Sequence, residues 1–164
     1  PLAIGAQTAQ PGRQVVALAG DGGLTMLFGD LITLVQNRLP VKLVVFNNSS
    51  LNFVELEMKA AGIVNYGTEL SNPSFAAVAE SMGIFGRRVE HPGQLEQALA
   101  DAFATDGPAV VDVVTARQEL SIPPAITAEQ AKGFSLYAIR TIMAGRADEL
   151  LDLVTTNVAR RILD

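Results

Sequence analysis

The sequence predicts an α/β fold, a parallel sheet flanked by helices, with a helical C-terminal tail. Three observations carry that prediction. Short aliphatic and β-branched runs at residues 15–18, 43–46 and 109–114 have the length and composition of buried strands. Stretches of helical periodicity lie between and around them. Strands that alternate with helices imply parallel pairing through right-handed crossovers.

Taken in order, residues 24–36 carry Leu27, Leu31, Leu34 and Val35 at helical spacing. Residues 73–82 form the next helix, with Asn72 as its cap and Pro73 at its first position. A weaker strand lies at 86–89. Residues 92–104 repeat the Pro-start device and place Leu95, Leu99 and Phe103 on one face. From 117 to 127 the character changes. Ser121-Ile122-Pro123-Pro124 cannot continue a helix and reads as extended chain. Two helical stretches follow, 128–144 and 147–163, split at Gly145. The organisation is therefore an α/β domain over 1–118 and a linker with helical tail over 119–164, without repeats or low-complexity tracts.

Composition narrows the function classes. The 164 residues are 49% hydrophobic and 18% charged, ordinary for a globular protein. A net charge of −5 offers no basic face for nucleic acid. The absence of cysteine removes disulfides, thiolate nucleophiles and cysteine-zinc sites, and fits a reducing cytoplasm. One histidine, His91, rules out a multi-histidine metal site and reads as a surface residue. No apolar run reaches the roughly 18 residues of a membrane span. The chain opens on Pro1 without an initiator Met and reads as part of a longer protein.

Two predicted strands end in polar clusters. The first runs into Gly20-Asp21-Gly22-Gly23, the second into Asn47-Asn48-Ser49-Ser50. Ligands of open parallel sheets bind at such carboxyl ends. Glycines allow close backbone approach, and a following helix N-terminus offers N–H groups to a diphosphate. Asp21 brings a carboxylate oxygen and Asn48 an amide oxygen, donors that suit Mg²⁺ bridged to phosphate. Either cluster alone is ordinary turn chemistry. Together, with 24 residues between Gly22 and Asn47 (room for one helix and a strand), they are specific.

This pairing resembles the thiamine-diphosphate motif of decarboxylases and carboligases. The resemblance implies that Asp21, the Asn48 side chain and the Ser50 backbone carbonyl ligate Mg²⁺. It implies that Gly22 and Gly23 cradle the diphosphate, and that Ser49, Ser50, Leu51, Asn52, Phe53 and Val54 border the cofactor. Phe46-Asn47-Asn48-Ser49, Glu57-Met58-Lys59-Ala60, Gly67-Thr68-Glu69-Leu70, Gly107-Pro108, Ile122-Pro123-Pro124 and Glu129 to Tyr137 look more narrowly like bacterial pyruvate dehydrogenase (quinone), or pyruvate oxidase. That family oxidatively decarboxylates pyruvate to acetate and carbon dioxide, passing electrons through FAD to ubiquinone. FAD and the activating glutamate would sit in domains outside this chain, leaving the isolated chain inactive. Asn52 stands where the family usually has glycine. Asparagine is the non-glycine residue best able to take a left-handed conformation, so the departure reads as tolerated, with a possible change in the shape of the loop.

By the same resemblance Phe53 enters the active site and assists electron transfer, although an aromatic in a polar loop is more often an anchor. Residues 51–67 would form a mobile lid, with Glu55 and Glu57 solvated or paired. The helix at 147–163 carries Asp148 and Glu149 at its start, Arg160 and Arg161 at its end, and a stripe of Leu150, Val154, Val158 and Ile162 beside Leu151. Two readings stand for it. It packs on its own domain, or it lies on membrane lipid as an amphipathic helix. The family resemblance implies the second, a homotetramer, and a cytoplasmic protein peripheral to the inner membrane. The rival readings are an acetolactate synthase-like carboligase, a non-catalytic Mg-diphosphate-binding module, and a membrane-tethering fragment.

Overall fold

The computed structural model describes residues 1–118 and 127–163, with backbone alone over 158–163. Its elements run α1 (Leu2–Ala9), β1 (Val16–Gly20), α2 (Asp21–Met26), α3 (Leu31–Gln36), β2 (Lys42–Asn47), α4 (Asn52–Ala60), α5 (Phe75–Ser81), β3 (Phe85–Val89), α6 (Leu95–Ala104), β4 (Ala109–Val114), α7 (Ala128–Met143) and α8 (Ala147–Leu163). The extended run expected at 121–124 lies outside the described residues. Contacts divide the chain into two units. The first is Pro1–Ser49 with Ser71–Thr115; the second is Ser50–Leu70 with Ala116–Asp164.

The first unit is built on four parallel strands in the order β1-β2-β4-β3. All four predicted strands are present. One sheet face, carrying Leu43, Val45 and Val110, packs with Leu24, Leu31, Leu34, Phe75 and Ala79. The other carries Val89, Ala109 and Val111 against Ala98 and Ala102 of α6. Because α6 packs on β3 and β4, that face thins toward β1. There Val16 and Leu18 are exposed, Leu18 by 68%. The expectation of a buried strand at 15–18 is corrected accordingly: β1 is an edge strand buried on one side only.

Three helix expectations also change. The single helix over 24–36 is two helices with a 3-10 turn at Phe28–Asp30 between them, and the first begins at Asp21. Gly29 weakens helix at that junction, and Phe28 turns edge-on to Phe75 with ring centroids 5.7 Å apart. α5 is capped by Ser74, whose side chain accepts from Ala77 N–H at 3.3 Å, and not by Asn72. The helix expected from 92 starts as a 3-10 turn at Pro92–Gln94. α1 has no counterpart among the sequence expectations.

The second unit is helical. α7 is opened by Thr127, which accepts from Gln130 N–H while the Gln130 side chain accepts from Thr127 N–H. Gly133 lets α7 cross α4 closely, since a Cβ there would lie 1.7 Å from Ala60 O. Gly62 ends the α4 turn with φ +74°, and its carbonyl accepts from Arg140 at 2.6 Å. On α8 the buried side chain is Leu153, outside the predicted stripe, while Val154 is 51% exposed. Val158 and Ile162 of that stripe lie beyond the described side chains.

Candidate functional site

Register explains why the two polar clusters meet. β1 pairs with β2 so that Gly20 sits beside Phe46. The residues that follow, Asp21 and Asn47, therefore emerge together at the carboxyl end of the sheet. Asp21 is buried. Its Oδ1 accepts from Gly22 N–H at 2.9 Å, and its Oδ2 accepts from Ser49 N–H at 2.7 Å and from the Asn72 amide at 2.7 Å. Ser49 makes that contact with φ +57°, a left-handed residue that is not glycine. Gly22 is buried, and its carbonyl accepts from the Thr25 hydroxyl at 2.9 Å. Gly23 is exposed, with no atom within 4 Å of where a Cβ would stand. Asn48 is half-buried.

Behind Asp21 lies a polar chain the sequence reading missed. Asn72 also donates to Asn47 Oδ1 at 3.0 Å, and Asn47 donates to Asp112 Oδ1 at 2.9 Å. Asp112 is fully buried on β4, where its Oδ2 accepts from Phe75 N–H at 3.0 Å and from Arg88 at 2.8 Å. Arg88 is its register neighbour on β3. A polar residue inside the strand Ala109-Val110-Val111-Asp112-Val113-Val114 was the available signal. An aspartate in a buried run needs partners.

The remaining predicted site residues belong to the second unit. Ser50 pairs with Glu69 as an isolated antiparallel bridge, and its hydroxyl donates to Glu55 Oε1 at 2.6 Å. Leu51 N–H donates to Thr68 O at 2.9 Å. Leu51 and Asn52 are half-buried, Val54 is exposed, and Phe53 is 76% exposed on α4. Asn52 is not left-handed. It is the first residue of α4, and the left-handed residue of this segment is Ser49, three positions earlier.

Glu55 and Lys59, one helical turn apart, are both fully buried. Glu57 is exposed and His91 lies at the surface, as the sequence reading had it. Glu55 receives hydrogen bonds from Ser50, Thr68, Asn65 and Lys59, and Arg117 stands 3.6 Å away. Burial alone would raise its carboxyl, but the Ser50 and Thr68 hydroxyls and the Lys59 charge outweigh it and hold it below the ordinary carboxylate range. Burial pushes the Lys59 ammonium below the usual lysine range, against the attraction of Glu55. Lys59 donates to Gln118 at 2.8 Å and lies 5.8 Å from the centre of the Tyr137 ring. The segment read as a lid thus contains a buried ion pair.

The donor set of the first unit fits a hard cation. Among the described residues no lysine, arginine or histidine pairs with Asp21, yet its carboxylate is out of water. Its three N–H donors meet part of the cost of that burial, and a cation would balance its charge. One carboxylate is too few ligands for an all-protein cage. No group of three or more acidic, histidine or cysteine side chains gathers among the described residues. Such a set matches Mg²⁺ shared with phosphate oxygens and waters. The open space over Gly23 leaves room for a diphosphate.

Comparison with known proteins agrees. Residues 1–113 match the family described as thiamine pyrophosphate enzyme, C-terminal TPP binding domain. A putative thiamine pyrophosphate-containing protein, YdaP, of Bacillus subtilis (strain 168) is 39% identical over 153 residues, covering 93% of this chain and 26% of the relative. The acetolactate synthase of the same organism is 34% identical, covering 69% of this chain and 20% of the relative. A solved thiamine diphosphate-dependent 4-hydroxybenzoylformate decarboxylase from Rhodococcus jostii RHA1 superposes with a TM-score of 0.65 at 30% identity, covering 70% of this chain and 22% of that one. The chain belongs to the thiamine pyrophosphate enzymes, as a C-terminal TPP-binding domain. It spans about a quarter or less of the length of these relatives.

Proposed function

We propose that this chain anchors thiamine diphosphate and Mg²⁺ in an enzyme that decarboxylates a 2-oxo acid and, in the manner of acetolactate synthase, joins the remaining fragment to a second 2-oxo acid. The observation that carries the anchoring role is the Asp21 carboxylate. It is buried, unpaired with any basic side chain among the described residues, and fixed by Gly22, Ser49 and Asn72. The carboligase outcome rests on relatives, since acetolactate synthases from bacteria, an archaeon and eukaryotes match at 32–36% identity.

When bound, thiamine diphosphate supplies the electron sink that lets the substrate carboxylate leave as carbon dioxide. The chain's own residues hold and orient. Asp21 and Asn48 would offer oxygens to Mg²⁺. Gly22 and Gly23, lacking side chains, would let a diphosphate approach the backbone. The hydrogen bonds from Gly22, Ser49 and Asn72 would hold the Asp21 carboxylate in place for the metal.

A second reading is supported by a specific observation. The 153-residue match to YdaP in a chain of 164 must reach into α8, whereas the acetolactate synthase matches cover 68–75% of the chain. The YdaP match therefore takes in part of the helical tail, which supports this reading. Under this reading the whole protein is a pyruvate oxidase, with FAD on another domain and ubiquinone as acceptor. Phe53 serves electron transfer, and α8 lies on inner-membrane lipid in a homotetramer. No helix among the described residues is long and apolar enough to cross a membrane.

One assay separates the two. The full-length gene product is supplied with pyruvate, thiamine diphosphate, Mg²⁺, FAD and a ubiquinone analogue, and acetolactate, acetate and reduced quinone are quantified. Acetolactate without quinone reduction supports the carboligase. Acetate in step with reduced quinone replaces it with the oxidase. Full activity in an Asp21→Ala variant would overturn the anchoring role itself.

A further inference from the structure

We propose that Asn72 is a positioning residue for the Asp21 carboxylate, the central link of a side-chain relay that runs Asp21, Asn72, Asn47, Asp112, Arg88. The inference rests on the reading of Asp21 as the metal carboxylate and adds to it residues outside the diphosphate motif.

The position of Asn72, two residues before Ser74, invites a capping role. That role is filled by Ser74, so the Asn72 side chain is free of the helix. Its amide nitrogen lies 2.7 Å from Asp21 Oδ2 and 3.0 Å from Asn47 Oδ1. An amide nitrogen has two hydrogens, and here each has its own acceptor. The orientation of each member is forced by the next. The Asp112 carboxylate pairs with Arg88 and accepts through Oδ1, so Asn47 turns its nitrogen toward it. The Asn47 oxygen then faces Asn72, which must present its nitrogen. That nitrogen in turn meets Asp21.

The consequence is a carboxylate with one defined pose. Among the described residues, Asp21 Oδ2 is occupied by Ser49 N–H and Asn72, while Oδ1 holds only the neighbouring Gly22 N–H. Oδ1 is therefore the oxygen with capacity for a cation. Without Asn72 the carboxylate can rotate about its last bond and must be ordered when the metal arrives. Partners of this kind, one step behind a metal ligand, are worth about 10- to 100-fold in metal affinity.

The test measures Mn²⁺ as the probe ion, in the full-length gene product with thiamine diphosphate at saturation, by the electron paramagnetic resonance signal of free Mn²⁺. Asn72→Ala is expected to raise the Mn²⁺ dissociation constant about 10- to 100-fold. Ser74→Ala, which strips the cap from the same helix but touches no relay member, is expected to lower the melting temperature and leave the Mn²⁺ constant unchanged. Arg88→Gln, at the part-exposed end of the relay, provides the second variant should Asn72→Ala fail to fold, and is expected to weaken Mn²⁺ in the same direction. An unchanged constant in Asn72→Ala, or in Arg88→Gln where Asn72→Ala does not fold, overturns the positioning role and leaves the cofactor reading intact. So does an equal rise in Ser74→Ala, which would mark the effect as general loosening. Wild-type protein that binds no Mn²⁺ with thiamine diphosphate present overturns both.

Discussion

Replacing Gly133 with alanine tests the packing of the second unit. The added Cβ would stand 1.7 Å from Ala60 O and 2.6 Å from Ala60 C. Carbon and oxygen settle about 3.3–3.6 Å apart even in their closest favourable contacts, so α4 and α7 must separate locally by roughly 1.6–1.9 Å. The obstructing atoms are backbone and cannot rotate away. Separation also strains the Arg140 contact to Gly62 O at 2.6 Å. Overpacking of this kind costs about 1–3 kcal/mol or more. Alanine returns up to about 1 kcal/mol of helix preference, so the net effect is a loss of about 1–2 kcal/mol. Gly5 is the internal control. It too sits within a helix, α1, but its Cβ would meet nothing within 4 Å. Gly5→Ala is therefore expected to stabilise by up to about 1 kcal/mol. Urea midpoints, with slopes compared to confirm a common unfolding reaction, should move in opposite directions for the two variants. A Gly133→Ala midpoint at or above wild type would refute the close crossing.

Three further outcomes follow from the site and the buried pair. Asp21→Asn removes the charge that a divalent cation requires, and calorimetric titration with thiamine diphosphate and Mg²⁺ should show binding lost. Lys59→Met leaves the fully buried Glu55 carboxylate without its ammonium partner, and removing one member of a buried pair costs about 3–5 kcal/mol. Adding Glu55→Gln to it should recover part of that loss in urea unfolding. The Glu55 carboxyl is held below the ordinary carboxylate range in the folded chain. Its contribution is therefore full above the unfolded value and is lost as pH falls through the lowered folded value. Urea midpoints taken along an acid series should fall for wild type, and less steeply for Glu55→Gln.

The strands and the pair of polar clusters were legible because they are local. A run such as Leu43-Val44-Val45-Phe46 announces a strand whatever surrounds it, and Gly20-Asp21-Gly22 needs only its spacing from Asn47-Asn48 to be recognised. The break between α2 and α3 was less visible, because apolar residues keep helical spacing across it and only Gly29 marks the junction. Glu55 was open to misreading for another reason. A carboxylate next to Lys59 at one turn looks the same in sequence whether the pair is on a surface or in a core.

The sequence by itself determined the parallel α/β class, the strand positions and the two polar clusters that end β1 and β2, since these depend on residue type and short-range spacing. Tertiary structure alone decided that Asn72 and Asp112, 51 and 91 positions from Asp21 along the chain, stand behind that carboxylate. It also decided that Ser49, not Asn52, takes the left-handed turn, and that Gly133 is a crossing point. The physical reason is common to all three. Hydrogen-bond partners and close contacts are settled by which strands pair and which helices cross, and those neighbours are not neighbours in sequence.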